Sequence, residues 1–278
     1  MFYRHSLSLT KQSPSIINTS HNFQKFIIIL QLIMILNKLE NIALENQKIL
    51  VVLCDPDNHP DTIKKHVSSA IQNGIQWFLV GGSLISQGNT QHTVELIKSL
   101  GAKYVILFPG SDMQVVPNAD AILFMSLISG RNPEYLIAKQ TAAAPFVHKY
   151  QLEPIPTGYM LVESGKLTSA QYISGTLPLP NDKPDIAAAT ALAGKMLGMK
   201  LFYLDAGSGA QFTIPGKIIQ AVKKSTQAIV FVGGGIRTPS AAMNAWNNGA
   251  NAVVVGNGVF EDENLVHNIL HPMQIPQQ

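Results

Sequence analysis

Three glycine-rich loops stand toward the C-terminus, each directly after an apolar run: Asp205-Ala206-Gly207-Ser208-Gly209 after LFYL, Gly233-Gly234-Gly235 after AIVFV, and Gly256-Asn257-Gly258 after AVVV. Glycine lets backbone N–H groups come close to phosphate oxygens, and the start of a following helix adds favourable partial charge. The loops begin roughly 25 residues apart, the length of one strand plus one helix. A closed parallel barrel gathers the loops of successive units at the C-terminal ends of its strands, so three in register point to one shared phosphate site. A second group lies upstream. Cys54-Asp55-Pro56-Asp57 follows one apolar run, and Gly81-Gly82-Ser83 follows the next. Asp55 and Asp57 offer oxygens that suit a hard cation such as Mg²⁺, completed by waters and substrate phosphates, with the Ser83 hydroxyl as a further ligand. The bland alternative is a turn at Asp-Pro-Asp and a loop or helix-capping role for Ser83.

These groups need elements to hold them. Short apolar runs alternate with amphipathic stretches, the pattern of strand–helix units around a parallel sheet. Strands are predicted at 48–54, 75–80, 103–108, 120–125, 157–162, 200–205, 228–232 and 252–255, and helices at 37–46, 60–73, 90–100, 132–144, 186–198, 215–225, 238–248 and 260–270. Eight strands make an α/β chain with a (β/α)8 TIM barrel, its phosphate loops after strands six to eight. Between strands three and four stand only PGSDMQVVPNA, too short and too rich in proline and glycine for a crossover helix. The third helix is therefore expected to be missing. After strand five, residues 163–185 carry Pro178, Pro180 and Pro184, and a loop of that length is usually a lid or binding segment.

The chain has 278 residues, where one such barrel takes about 250. We expect a single barrel domain over 34–278 and a disordered N-terminal extension over 1–33. The net charge of +3 comes from Arg4, Lys11 and Lys25, because residues 1–33 hold no Asp or Glu. The rest is neutral and gives no footprint for nucleic acid. Cys54 is the single cysteine, which excludes a disulfide framework and favours a reducing cytoplasm. The apolar run at 26–36 is about half of the roughly 20 residues that span a bilayer. It reads as part of an extension, with a membrane-surface anchor or a signal core as less favoured alternatives.

Taken together, ILVVLCDPD, FLVGGSLIS, LFPGS with NPEYLI downstream, PTGYMLVESG, FYLDAGSG, VFVGGGIRT and VVVGNGVFED resemble the geranylgeranylglyceryl phosphate synthase and heptaprenylglyceryl phosphate synthase family over residues 37–270. YLDAGSG is similar to the archaeal-type branch that also occurs in Bacteroidetes. The resemblance implies transfer of a long prenyl group from its diphosphate to the 3-hydroxyl of sn-glycerol 1-phosphate, an ether-lipid precursor being the product, with Mg²⁺ as cofactor. It implies Asp55 and Ser83 at the metal. It places Tyr203, Leu204, Asp205, Ala206, Gly207, Ser208, Gly209, Gly234, Gly235, Gly256 and Asn257 at the glycerol phosphate. A homo-oligomer and a peripheral membrane contact for the lipid product also follow from it. Many members have a Lys two positions before the metal-binding Asp, where this chain has Leu53.

Chemistry argues for roles beside the resemblance. Asp205, at a strand end, either accepts the alcohol proton or organises its loop. Tyr203 either orients a ligand or packs the barrel, and Glu163 and Ser164 either line the mouth or are solvated. Phe78, Phe108 and Phe124 face the core or a prenyl groove. A phosphosugar isomerase or aldolase would use the same glycine loops but should place a Lys or an acid pair at strand ends, and no predicted strand ends in Lys. A non-catalytic binder of phosphorylated ligands would not need Asp55 with Ser83.

Overall fold

A computed structural model describes residues 34–271. Eight parallel strands close into a barrel in chain order: β1 Ile49–Cys54, β2 Trp77–Val80, β3 Tyr104–Leu107, β4 Ala121–Leu127, β5 Glu153–Leu161, β6 Leu201–Asp205, β7 Ile229–Gly233 and β8 Ala252–Val255. All eight predicted strands are present. The helices are α1 Ile35–Leu44, α2 Pro60–Gln72, α3 Thr90–Ser99, α4 Lys139–Lys149, α5 Ser169–Ser174, α6 Pro184–Met196, α7 Gly216–Thr226, α8 Pro239–Asn247, α9 Asn257–Glu261 and α10 Leu265–Leu270.

Successive side chains of a strand point to opposite faces, which divides the core into two layers. Val51, Leu79, Ile106, Leu123, Ile155, Leu201, Phe231 and Val254 fill the barrel. Their neighbours Val52, Phe78, Val105, Ile122, Phe202, Val230 and Val253 pack outward under the helices. Phe78 therefore belongs to the outer core. Helix α1 closes the N-terminal end of the barrel with Ile35 and Leu39. Its first amides, on Ile35 and Leu36, donate to the Glu153 carboxylate at 2.6 and 2.8 Å, which satisfies orphan donors of the helix start and matches its partial positive charge.

Only a 3₁₀ turn, Asp112–Gln114, stands between β3 and β4, as the short connection required. Gln114 staples this turn to the β2 loop: its Nε2 donates to the Gly82 carbonyl at 2.8 Å, and its Oε1 accepts from the Gly82 and Gly110 amides at 3.3 Å. Two predicted helices differ by more than a shift of one or two residues at their ends. The helix expected at 132–144 begins as a π-helical segment, Glu134–Ala138, and α4 continues through Pro145 to Lys149. The helix expected at 260–270 is two short ones, separated where Asp262 accepts from the Asn264 amide at 2.9 Å.

Strand β5 starts earlier than predicted, through Pro154 and Pro156. Lys200 N donates to the Pro156 carbonyl, so this edge of both prolines faces the place where β6 has not yet begun, the ladder with β6 starting only at Thr157. No ladder donor is lost. The long segment after β5 holds α5 and is tied back by a parallel bridge between Val162 and Leu179.

Candidate active site

The barrel's alternation continues one step above its apolar layers. Counting inward positions upward, Val51 leads to Leu53 and Asp55, Ile155 to Thr157 and Tyr159, and Leu201 to Tyr203 and Asp205. Asp55, Tyr159, Tyr203 and Asp205 accordingly line one cleft at the C-terminal end of the barrel, with Ser83 and the three glycine loops.

Loops β6, β7 and β8 interlock. A Cβ on Gly234 would lie 2.7 Å from the Gly207 nitrogen and 2.8 Å from Asp205 Oδ1, and Gly234 itself has φ +82°, so only glycine fits both the approach and the backbone. Asn257 Nδ2 donates to Ser208 Oγ at 3.3 Å, and Arg237 reaches back to the Ala210 carbonyl. The loops thus form one cup, with Gly235 and Gly256 on its wall. Ala206 donates to the Gly233 carbonyl and Gly207 donates to Asp205 Oδ1 at 2.7 Å. Those two amides are spent inside the protein, so the sequence expectation that phosphate sits on N–H groups around Gly207 narrows to the remaining amides of the cup.

Asp205 forms the floor. It is 8% exposed, and while Oδ1 accepts from Gly207, Oδ2 accepts from the Tyr159 hydroxyl at 2.6 Å. Burial pushes its pKa above the ordinary carboxylate value, and the Tyr159 and Gly207 bonds pull it part of the way back. Burial also raises the Tyr159 and Tyr203 phenols well above their usual range. Tyr203 stacks on Phe108 with ring centroids 4.8 Å apart, 11° from parallel. Tyr159 meets Phe108 edge-on at 5.8 Å. Phe108 is thus an aromatic floor tile of the cleft, and Phe124 lines its apolar side.

Across the cleft, Asp55 Oδ1 accepts from the Asp57 amide at 3.0 Å, and Oδ2 has no hydrogen bond within the described residues. Burial raises the Asp55 pKa. The β2 loop presses on this carboxylate: a Cβ on Gly82 would lie 3.0 and 3.1 Å from its two oxygens, and Ser83 follows directly. Asp57 does not join them. Its carboxylate accepts from the amides of Ser86, Gln87 and Gly88 and from the Ser86 hydroxyl, at 2.7 to 3.1 Å, bonds that lower its pKa to about 2. Asp57 organises the β2–α3 loop, and with its oxygens committed there it is not free to share a cation with Asp55.

One half-exposed carboxylate beside a hydroxyl suits Mg²⁺, which keeps several waters and takes substrate phosphates to complete its shell. A cation there would also supply the opposite charge that a partly buried carboxylate lacks. No group of three His, Cys, Asp or Glu side chains that could hold a metal occurs among the described residues. Cys54 is buried, with its thiol pushed up to about 12, and is inert as a nucleophile.

From this polar end the cleft continues along the flank left open by the absent third helix, lined by Ile122, Phe124, Met125, Leu127 and Ala143. One end therefore suits phosphate and the other hydrocarbon. A profile of the PcrB family matches residues 42–273. The chain belongs to the PcrB family. The geranylgeranylglyceryl phosphate synthase of Spirosoma linguale is 45% identical over 229 residues, 82% of this chain and 92% of the relative. That of Methanothermobacter marburgensis is 39% identical over 227 residues, 81% and 92%. The crystal structure of (S)-3-O-geranylgeranylglyceryl phosphate synthase from Thermoplasma acidophilum, in complex with substrate sn-glycerol-1-phosphate, has a TM-score of 0.79 at 30% identity, over 86% of this chain and 97% of that one. An N-acetylmannosamine-6-phosphate 2-epimerase from Clostridium perfringens and an aldolase from Escherichia coli, 13% and 12% identical with TM-scores of 0.51 and 0.52, share the barrel alone.

In this PcrB-family chain no strand among the described residues ends in a Lys, so the barrel strands β1 to β8 offer no Schiff-base position there. Sequence reasoning passed over Tyr159, although inward alternation from Ile155 would have reached it. It also passed over Gln114, Asp112 and Lys139, whose contacts are non-local and carry no motif. Glu163 is exposed and stays out of the cleft lining, and Ser164 holds the β6 loop, its carbonyl accepting from the Gln211 and Phe212 amides.

Proposed function

We propose that this protein joins a long prenyl group, from its diphosphate, to the 3-hydroxyl of sn-glycerol 1-phosphate, giving an ether-lipid precursor. The observation that carries the reading is a buried carboxylate, Asp205, under a cup of three glycine loops at the polar end of a cleft whose other end is apolar. The acceptor's phosphate rests on the cup's unspent amides, which brings its hydroxyl over Asp205. Prenyl diphosphate lies with its chain along Phe124 and Met125 and its head toward Asp55 and Ser83. When bound at Asp55 and Ser83, Mg²⁺ neutralises the leaving group.

The C1–O bond of the prenyl diphosphate breaks, its electron pair leaving with the diphosphate. A lone pair of the glycerol 3-oxygen forms the new C–O bond, and the hydroxyl proton passes to Asp205. Tyr159 and Gly207 fix the carboxylate so that its free lone pairs face the cup, and holding both partners in place supplies a large share of the rate. Incubation with sn-glycerol 1-phosphate and prenyl diphosphates of graded length, with products read by mass, tests the proposal. No ether product at any length would refute it.

Two accompanying readings rest on surface chemistry. Ile186, Leu192 and Met196 lie exposed on α6, a face that a second copy of the chain would bury, and sedimentation equilibrium tests for the homo-oligomer. Met113 on the 3₁₀ turn, Tyr172 on α5 and Leu177 just after α5 are 89%, 74% and 81% exposed, in segments that follow the C-terminal ends of β3 and β5, where a bilayer could receive the lipid product. Co-sedimentation with phosphatidylcholine vesicles tests that peripheral contact. Among the described residues no helix is long and apolar enough to cross a membrane, and we retain the cytoplasm as the proposed location.

A further inference from the structure

Two cationic side chains line the cleft among the described residues, Arg237 and Lys139. Arg237 is committed on the cup side, where its Nε donates to Glu261 at 3.2 Å and its Nη1 to the Ala210 carbonyl at 3.3 Å. Lys139 stands on the opposite wall, at the first residue of α4, with Asp112 as its partner at 3.1 Å. Lys139, its side chain 37% exposed and paired with Asp112, shares the cleft lining with Phe124, Met125 and Ala143, and a cation has no use in a groove that holds hydrocarbon alone. It makes sense where an anionic head joins an apolar tail.

Contiguity places Lys139 at that junction. A Cβ on Gly110 would lie 2.3 Å from the Gly82 carbonyl oxygen and 2.8 Å from that of Ser83, so the β3 loop packs directly on the loop carrying Ser83. Ser111 and Asp112 follow Gly110 at once, Gln114 clamps the turn to Gly82, and Asp112 holds the ammonium. The polar series from Asp55 through Ser83 thus ends at Lys139. The backbone is also irregular here: the π-helical Glu134–Ala138 runs into Lys139, and such departures from α geometry recur at functional sites.

We propose that Lys139 is a cationic contact for the diphosphate of the prenyl substrate, with Asp112 as the tether that holds it ready. The assignment rests on the prenyl-transfer reading above and deepens it. The ammonium is shared between Asp112 and a phosphate oxygen on substrate arrival, and stays with the leaving diphosphate after C1–O cleavage. A Lys139–Asp112 pair that merely fixed α4 to the β3 loop would behave differently, because losing either partner would then do equal harm.

Binding of inorganic pyrophosphate, by titration calorimetry with EDTA and again with Mg²⁺, separates the two. Lys139→Gln should weaken it about 10- to 100-fold, the loss of one charge-assisted contact, with sn-glycerol 1-phosphate binding and the melting temperature unchanged. Lys139→Arg should restore binding to within about threefold, and Asp112→Asn, which leaves the ammonium free, should bind pyrophosphate as tightly as wild type or tighter. Pyrophosphate binding by Lys139→Gln within twofold of wild type would overturn the assignment, as would an equal loss in Asp112→Asn. If Lys139→Gln does not fold, Asp112→Asn decides by the same criterion. Wild type that makes no ether product sinks the prenyl-transfer reading itself, whereas normal turnover with an unchanged prenyl diphosphate KM in Lys139→Gln sinks only Lys139.

Discussion

Replacing Tyr159 by Phe removes one hydroxyl and leaves the ring contacts with Phe108 and Tyr203, 5.8 and 5.7 Å between centroids, in place. The lost interaction is the 2.6 Å bond to Asp205 Oδ2. Hydrogen bonds to charged groups contribute about 1.5–3 kcal/mol, and this one favours the ionised carboxylate, so its loss raises the Asp205 pKa further. The sign follows from the causes: burial already raises this pKa, and the Tyr159 bond is the larger of the two that lower it. A proton acceptor works ionised, so the acid limb of kcat against pH moves upward, and the lost rate returns above the new pKa. The profile should be recorded for both proteins from about pH 5 to about pH 9, beside a thermal melt. An acid limb that stays in place would refute the role of Asp205 as acceptor, with Tyr159 then serving packing alone.

Asp55→Ala should lower turnover by more than about tenfold at saturating Mg²⁺ without shifting the melt, a retained rate counting against the metal assignment. Gly256 has φ −110° and no atom nearer than 3.7 Å to an added Cβ, so Gly256→Ala should fold normally and raise the glycerol phosphate KM about tenfold, with the prenyl diphosphate KM little changed; equal effects on both would contradict the cup. Asp57, with its pKa lowered to about 2, contributes stability that is full above about pH 4, its unfolded value, and fades as pH falls through about 2. The melting difference between wild type and Asp57→Ala should therefore shrink over that window. Because Glu153 secures the first turn of α1, a chain beginning at Met34 should fold and turn over like the whole, and failure in either respect would show that residues 1–33 contribute.

Much of this was legible because a barrel strand writes its fold as alternation and its site as whatever breaks the alternation at the strand's end. ILVVLCD and LFYLD each carry an apolar run into an aspartate, and both aspartates lie in the cleft. The missing third helix was legible from the short connection between β3 and β4, rich in proline and glycine. What escaped depends on meetings that no local pattern encodes. Asp57 looked like a partner for Asp55, yet three amides some thirty residues away claim it. Lys139 gained its place from a π-helical stretch, and helical periodicity in sequence does not distinguish that from an ordinary turn. The prolines of β5 hid the strand's beginning, because proline reads as a breaker unless the neighbouring strand is known to start late.

The stack of Phe108 on Tyr203, above barrel layers that α1 seals from below, bears on fidelity. An electrophilic prenyl fragment reacts with any oxygen nucleophile that arrives in time, and water competes with the alcohol. With an aromatic and aliphatic plug under the site, water has no route through the barrel axis and enters only past the substrates themselves. The ratio of ether product to free prenol then becomes a gauge of how well the mouth is filled. It should worsen with short prenyl diphosphates that leave the groove partly open, and be indifferent to changes on the far side of the plug.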